Sequence, residues 1–251
     1  MKTKTALSAI TSLMLASAMC MGFVSCGAEE EDGDVRAKID ALTGEEVTEE
    51  VWNAALYSET DIFNNVCNNF AIDFVETYNN EDGTETTTSH CIHVDSQCYT
   101  RAIMDYSALS GKSPKEKYVE ENAEKVGERI YKNESYFDST TEEYLVTVNG
   151  QWGEGHGDGA FDLGLAYLTN MTGIVCSERG LKYSDYSYNE EQNGYVYTAT
   201  NDYGSDTLVV KFAEGKLKSV QYTHRNTDES NIEYLYYITY GGQSVTRPEV
   251  G

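Results

Sequence analysis

Basic residues are scarce in this chain: 18 Lys and Arg stand against 42 Asp and Glu, for a net charge of −24. Nucleic acid is excluded as a partner, because neutralising phosphates needs clustered Lys and Arg. Adsorption by charge onto an anionic membrane surface is excluded for the same reason. Beyond residue 25 no stretch is long and apolar enough to suggest a membrane span, and no internal repeat of fixed period is found. Among catalytic signatures, the GxSxG elbow, the glycine-rich phosphate loops, the Ser-x-x-Lys motif, HExxH and CxxC are all missing. Carboxylate pairs for glycoside cleavage carry no information here, since 42 acids supply every spacing. Proline occurs only twice, at Pro114 and Pro248, whereas there are 21 glycines and 20 tyrosines. Abundant Tyr, Thr and Val with glycine-marked turns favour sheet over a helix bundle.

What is present begins with export. Lys2 and Lys4 precede an uncharged stretch from Thr5 to Ser25, the n-region and h-region of a secretory signal. Ser8, Thr11, Ser12 and Ser17 interrupt it and no basic residue follows closely, so a permanent transmembrane helix fits poorly. Ala16-Ser17-Ala18 would serve an ordinary signal peptidase site. Phe23-Val24-Ser25-Cys26 resembles the lipobox of bacterial lipoproteins, which implies that Cys26 receives diacylglyceryl and becomes the first mature residue. Cys20 fits worse, because Met19 is a poor residue before a cleavage point. Two acyl chains convert reversible membrane binding into stable anchoring. The expected partner is therefore the membrane, through the N-terminal lipid, and the expected location is the extracytoplasmic face of the cell membrane. Residues 1–25 read as signal peptide, 26–44 as lipidated cysteine and acidic tether, and 45–251 as one β-rich domain. Without residues 1–25 the charge becomes −26, and Ala28 to Asp34 reads as a flexible leash.

After processing, Cys67, Cys91, Cys98 and Cys176 remain, an even number in an exported chain, which suggests two disulfides in one of three pairings. A local Cys91 to Cys98 bridge with a long-range Cys67 to Cys176 bridge is the preferred pairing, since Asp95-Ser96 suits a turn between Cys91 and Cys98.

Thr48 to Leu56 reads as a short helix capped by Thr48, with Trp52, Ala55 and Leu56 on one face. Asn69 to Tyr78, Thr84 to Val94 and Cys98 to Tyr106 read as strands of an antiparallel meander. Ser113-Pro114-Lys115-Glu116 is a capping box, and Val119, Ala123, Val126 and Ile130 continue at helical spacing. A helix is therefore favoured over residues 113–131, with two strands joined through Glu121 to Lys125 as the alternative. Glu143 to Val148 is a strand closing at Asn149-Gly150, Gly153 to Gly159 a glycine-rich loop, and Phe161 to Met171 a helix. Five further strands are expected at Leu181 to Tyr188, Tyr195 to Thr200, Thr207 to Phe212, Lys216 to Thr223 and Ile232 to Tyr240. The expected fold class is α+β: a long curled antiparallel sheet, an unclosed half-barrel covered by one or two helices.

The lipobox, the acidic tether, the Val47 to Trp52 segment, the Val210 to Leu217 hairpin and the Tyr240-Gly241-Gly242 break before Pro248 resemble, together, uncharacterised surface lipoproteins of gut and rumen Firmicutes. More distantly they are similar to the LolA and LppX group over roughly Gly44 to Glu249. That resemblance implies an unclosed antiparallel barrel covered by helices, an apolar concavity that holds acyl chains, and no catalytic residues. Four mature cysteines and high acidity set this chain apart from the group's better-studied members.

Three sets of side chains invite a chemical reading. His90, Cys91, His93 and Cys98 are metal-ligand types, but in a strand His90 and His93 point to opposite faces, which favours a disulfide hairpin with surface histidines. Glu154, His156 and Asp158, with Asp162 near, would share a face if extended and are weak candidates for a divalent ion, although four glycines make a costly scaffold. Tyr183, Tyr186, Tyr188, Tyr195, Tyr197, Tyr234, Tyr236, Tyr237 and Tyr240 form either a half-buried wall or a platform for glycans or a protein partner. The reading that follows is non-enzymatic and needs no cofactor. It is a membrane-anchored module for an apolar or amphiphilic ligand, with a glycan- or protein-interaction module as the alternative.

Overall fold

The computed structural model describes residues 32–56, 69–79, 83–96, 116–138, 140–155, 180–227 and 230–251. Cys26, Cys67, Cys98, Cys176, His156, Asp158, the third strand expected at Cys98 to Tyr106 and the helix expected at Phe161 to Met171 lie outside them.

Two helices, α1 (Asp32–Ala41) and α2 (Glu49–Leu56), precede the strands β1 (Asn69–Asn79), β2 (Glu85–Ser96), β3 (Glu116–Val126), β4 (Arg129–Asp138), β5 (Glu143–Val148) and β6 (Gln151–Glu154). After a single 3-10 turn at Tyr183–Asp185 come β7 (Ser187–Asn189), β8 (Gly194–Asn201), β9 (Gly204–Ala213), β10 (Lys216–Asn226) and β11 (Asn231–Tyr240). All eleven strands form one antiparallel sheet in the order β6-β5-β4-β3-β2-β1-β11-β10-β9-β8-β7. The sheet is not closed, and with its two helices it is the unclosed half-barrel expected from the sequence. Each half is a plain meander. The seam between them is β1 on β11, paired from Phe70 opposite Tyr240 to Asn79 opposite Asn231.

Alternation along the strands sends even-numbered residues of β1, β2, β9 and β11 to one face and odd-numbered ones to the other. The first face carries the main core: Phe70, Ile72, Ile92, Val94, Leu208, Val210, Phe212, Val220 and Ile238 pack with Trp52 and Leu56 of α2. The second face carries a small cluster of Val35 and Ile39 from α1 against Val75 and Leu235. Farther along it, Val245 of the C-terminal segment packs on Tyr136 and Leu145.

Two expectations are corrected. The helix expected over residues 113–131 is not found in its described part: from Glu116 onward β3 and β4 are a hairpin, turning at Gly127 with φ of +61°. A glycine accepts that backbone without penalty, and Tyr118 gains a buried strand position beside Phe137 that no lone helix turn would supply. The tether does not extend to residue 44 either. Asp32–Ala41 is helical, because Val35 and Ile39 recur at helical spacing and are 5% and 2% exposed against the sheet. The strand expected over Leu181 to Tyr188 is reduced to the 3-10 turn and the three residues of β7.

Between the helices the chain passes from one face to the other across the sheet end. Glu45 N–H donates to Phe212 O at 2.9 Å, and Tyr188 Oη donates to Gly44 O at 2.9 Å. Trp52 N–H continues helically onto Thr48 O, while Thr48 Oγ1 accepts from Val51 N–H, the expected cap. Gly44 lies so close to β8 that a Cβ there would sit 1.8 Å from Asn193 O. A Gly44→Ala change is therefore expected to destabilise the domain by about 1–3 kcal/mol, a fall in Tm of roughly 2–10 °C for a chain of this size. Thermal unfolding of the two proteins side by side measures it, and an unchanged Tm would contradict the close approach.

Candidate functional site

Among the described residues the most chemically distinctive part of the sheet is its α2 face over β1, β2, β3, β10 and β11, where most of the apolar and aromatic side chains are buried. Tyr236, Phe74 and His90 stack across three neighbouring strands, with ring centroids 4.3 Å and 5.6 Å apart and planes inclined by 20° and 21°. Strand register sets this up, because Phe74 pairs with Tyr236 on one side and with His90 on the other. Tyr234 meets Phe74 edge-on at 6.0 Å, and Tyr118 meets Phe137 at 5.5 Å. Offset and edge arrangements of this kind follow the ring quadrupoles.

Polar groups punctuate this wall at three places. His90 Nδ1 is 3.1 Å from Glu120 Oε1, and Ser135 Oγ donates to Glu120 Oε2 at 3.4 Å. The carboxylate stands between hydroxyl and imidazole, so among the described residues Ser135 meets a carboxylate rather than a base nitrogen. Tyr78 Oη donates to Glu76 and lies 3.3 Å from Tyr234 Oη. At the far end, Asp206 Oδ1 accepts from Tyr222 Oη and faces His224 Nδ1, both at 2.8 Å, while His224 Nε2 is 2.8 Å from Asn226 Oδ1. Each carboxylate is thus placed where it holds a hydroxyl or an imidazole within an aromatic surround.

The tyrosines of the expected platform divide into three groups. Tyr183, Tyr186 and Tyr195 surround Trp52 at 5.6, 4.8 and 5.1 Å, with Tyr188 against Tyr195 and Tyr197 against Tyr186. Tyr195 Oη accepts from Val47 N–H and donates to Val47 O, both at 2.8 Å, and Tyr183 Oη donates to the same carbonyl at 3.0 Å. Tyr183, Tyr188 and Tyr195 therefore hold the α1–α2 link, while Tyr186 and Tyr197 pack in the ring cluster around Trp52. Tyr234, Tyr236 and Tyr240 belong to the wall, and Tyr237 lies on the opposite face beside α1.

That opposite face holds the histidine and cysteine singled out in the sequence. Cys91 and His93 share it and His90 does not, as alternation requires. Cys91 Sγ is 3.0 Å from Asp73 Oδ1 and 3.2 Å from His93 Nε2; His93 Nδ1 is 2.7 Å from Gln243 Oε1. Gln243 is oriented by its own Nε2–H bond to Gly241 O and by Asn69, whose side chain grips its backbone at both ends. Asp73 Oδ2 also accepts from Lys38 Nζ at 3.1 Å. Cys91 is buried at 6% exposure, and this network ties α1 and the C-terminal segment to the sheet rather than presenting an open thiol. Among the described residues there is no disulfide; Cys91 is the one cysteine there, and the other members of both expected bridges lie outside. Glu154 is exposed at the end of β6, with His156 and Asp158 likewise outside, and among the described residues no cluster of three or more His, Cys, Asp and Glu is arranged to hold a metal. Asp73, Gln243, Asp206 and His224 escaped the sequence reading; only strand pairing and the C-terminal crossing bring them to their partners.

No protein-family model matches the chain, and no curated protein does. Among solved structures it is similar to LprF from Mycobacterium bovis at 11% identity, over 82% of this chain and all of that one, with a TM-score of 0.38. It is also similar to the S-type phycobiliprotein lyase CPES from Guillardia theta, at 9% identity over 79% of this chain and all of that one, TM-score 0.25. A DUF1329 family protein from Desulfovibrio piger matches at 9% identity over 78% of this chain and 94% of that one, TM-score 0.24. Superpositions this loose transfer neither lineage nor function.

Burial raises the hydroxyl pKa values of Tyr195, Tyr234, Tyr236 and Tyr240; Tyr183 and Tyr78 add hydrogen bonds that raise those of Tyr195 and Tyr234 further. An unfolded tyrosine ionises near pH 10, so above that pH the unfolded chain sheds protons that the folded one keeps. The resulting stability is complete below about pH 10 and is lost as pH rises beyond it. Tyrosinate absorbance followed against pH is expected to show these four ionising only together with loss of the near-ultraviolet circular dichroism. Ionisation of every tyrosine in one step near pH 10, with that signal intact, would contradict the burial.

Proposed function

We propose that the protein is a lipid-anchored, extracytoplasmic binding module, without enzymatic activity, that takes an amphiphile on the α2 face. The observation that carries this reading is a broad apolar and aromatic wall that meets oriented carboxylates along one face of the sheet. The apolar wall draws on seven strands, β1, β2, β3, β8, β9, β10 and β11, which at about 4.8 Å per strand is roughly 30 Å across. Among the described residues the helix on that face is α2, eight residues long, about 12 Å of helix, packed on β10 and the 3-10 turn. Phe74 and Tyr236 are buried, so an apolar chain that packs against this aromatic stack is itself removed from water, at about 25 cal/mol per Å². The head group then meets Glu76, Glu120 or Asp206, each already oriented by a hydroxyl or imidazole. The Ser135, Glu120, His90 order supplies no activated nucleophile, which supports a binding role over a hydrolytic one.

Anchoring rests on the lipobox-like Phe23 to Cys26 segment. Cys26→Ala is expected to abolish incorporation of an alkyne fatty acid, while Cys20→Ala leaves it intact; labelling that survives Cys26→Ala would refute the anchor. For the ligand, native mass spectrometry of the protein extracted in mild detergent is expected to show a co-purifying amphiphile, lost on Phe74→Ala with Tyr236→Ala. A protein that is ligand-free, and that takes up no fatty acid or phospholipid from vesicles, would sink the amphiphile reading.

A further inference from the structure

On the α1 face, away from the aromatic wall, a groove of about 480 Å³ runs along β9 and β10 beside the end of α1. Its floor is a ladder of cross-strand pairs: Ser205 with Arg225, Thr207 with Thr223 and Val209 with Gln221. Among the described residues Val209 is the single apolar one of the lining, and no aromatic ring takes part. The volume falls within the ordinary range for small-ligand sites, but those are mostly apolar; a polar ligand is required here.

Charge is unevenly placed along the ladder. Lys211 lies at one end, where its Nζ donates to Ile39 O at 2.9 Å and so closes the α1 terminus beside Asp40. The turn carrying Glu191 and Asn193 sits at that same end, since a Cβ on Gly194 would be 3.0 Å from Lys211 Cγ and 3.3 Å from Val209 Cγ1. Asp40 and Glu191 therefore flank one end of the groove, and Arg225 stands at the other. Lys211 is already committed to backbone carbonyls, whereas among the described residues the Arg225 guanidinium and the hydroxyls of Ser205, Thr207 and Thr223 keep their hydrogen-bonding capacity. Val209 is four positions along the strand from Ser205 and Lys211 six, so the opposite charges are roughly 13–20 Å apart along the strand.

We propose that this groove binds a short peptide with free termini, its ammonium group between Asp40 and Glu191 and its carboxylate on Arg225. An extended peptide of four or five residues spans about 13–18 Å, which matches that separation. Its amides alternate donor and acceptor, as the Thr, Gln and Ser side chains of the floor do. A glycan would meet hydroxyl and amide partners but would leave the opposed end charges unused. This site is independent of the amphiphile reading, because it lies on the other face and shares no residue with the wall.

The test uses the full-length protein in detergent micelles, titrated calorimetrically with tetra-alanine, N-acetyl-tetra-alanine and tetra-alanine amide. Unblocked tetra-alanine is expected to bind, with each block weakening it about tenfold, the size of one charge-assisted hydrogen bond. Arg225→Gln is expected to weaken the unblocked peptide to the level of the amide and to leave the amide's own affinity unchanged. Arg225 is exposed, so this variant should fold as the parent does, which circular dichroism verifies. The proposal is overturned if tetra-alanine does not bind at millimolar concentration, if Arg225→Gln leaves its affinity unaltered, or if maltotetraose binds in its place.

Discussion

The ladder between β1 and β11 is the interaction on which the whole sheet depends. Its ten residue pairs join the two meanders, and Phe70 and Tyr240, the first partners, are 170 positions apart in the chain. Loop-closure entropy opposes such a contact, so it must be stabilised from both sides of the sheet at once. On one side Phe74 stacks on Tyr236, and on the other α1 lays Val35 and Ile39 over Val75 and Leu235. Lys38 to Asp73 and Arg36 to Glu233 then attach the same helix to β1 and β11 respectively. These ion pairs are only partly shielded and each contributes little by itself; their effect is to orient α1 across the seam.

The two faces answer different physical demands. The α2 face concentrates apolar area, and its half-buried carboxylates Glu76, Glu120 and Asp206 each find a hydroxyl or imidazole, since removing a charge from water without a partner is costly. The α1 face is held by directional contacts instead: the Lys211 amine on α1 carbonyls, the Cys91, His93 and Gln243 chain, and the Arg247 guanidinium bidentate on Glu143. Burial lowers the Lys211 pKa, with Asp40 partly offsetting it, which is the cost of using a lysine to terminate a helix from across a sheet. The link at 42–48 joins these regimes, and Tyr183, Tyr188 and Tyr195 bind its carbonyls where strand pairing has ended.

Most of the sheet was legible in the chain, because β1, β2, β5 and β8 to β11 alternate cleanly and end at turn residues such as Asn149-Gly150 and Glu214-Gly215. Segments whose local signal conflicts with their tertiary surroundings were not. Ser113-Pro114-Lys115-Glu116 reads as a helix start, yet pairing with β2 through eleven residues outweighs a cap worth about 1 kcal/mol. The acidic run before α1 reads as leash because its helical signal rests on Val35 and Ile39 alone, which matter only once Val75 and Leu235 are adjacent. Site residues fared similarly. Cys91 and the histidines stand out by type, but Gln243 and Asp73 acquire meaning only from the C-terminal crossing and the β1 register. The groove was invisible for the same reason, since Ser205 and Arg225 are twenty residues apart and become neighbours only through the β9–β10 ladder.

The early start of α1 bears on how far the protein can stand from a bilayer. Five residues lie between Cys26 and Asp32, and six chain steps reach no more than about 20 Å at full extension. In the lipid-anchored form proposed above, the seam of the sheet would ride within one bilayer leaflet's thickness of the head groups, led by its α1 face. Recruitment of anything to the groove would then take place in the narrow layer next to the membrane, where the chain's own acidity sets the local ionic composition.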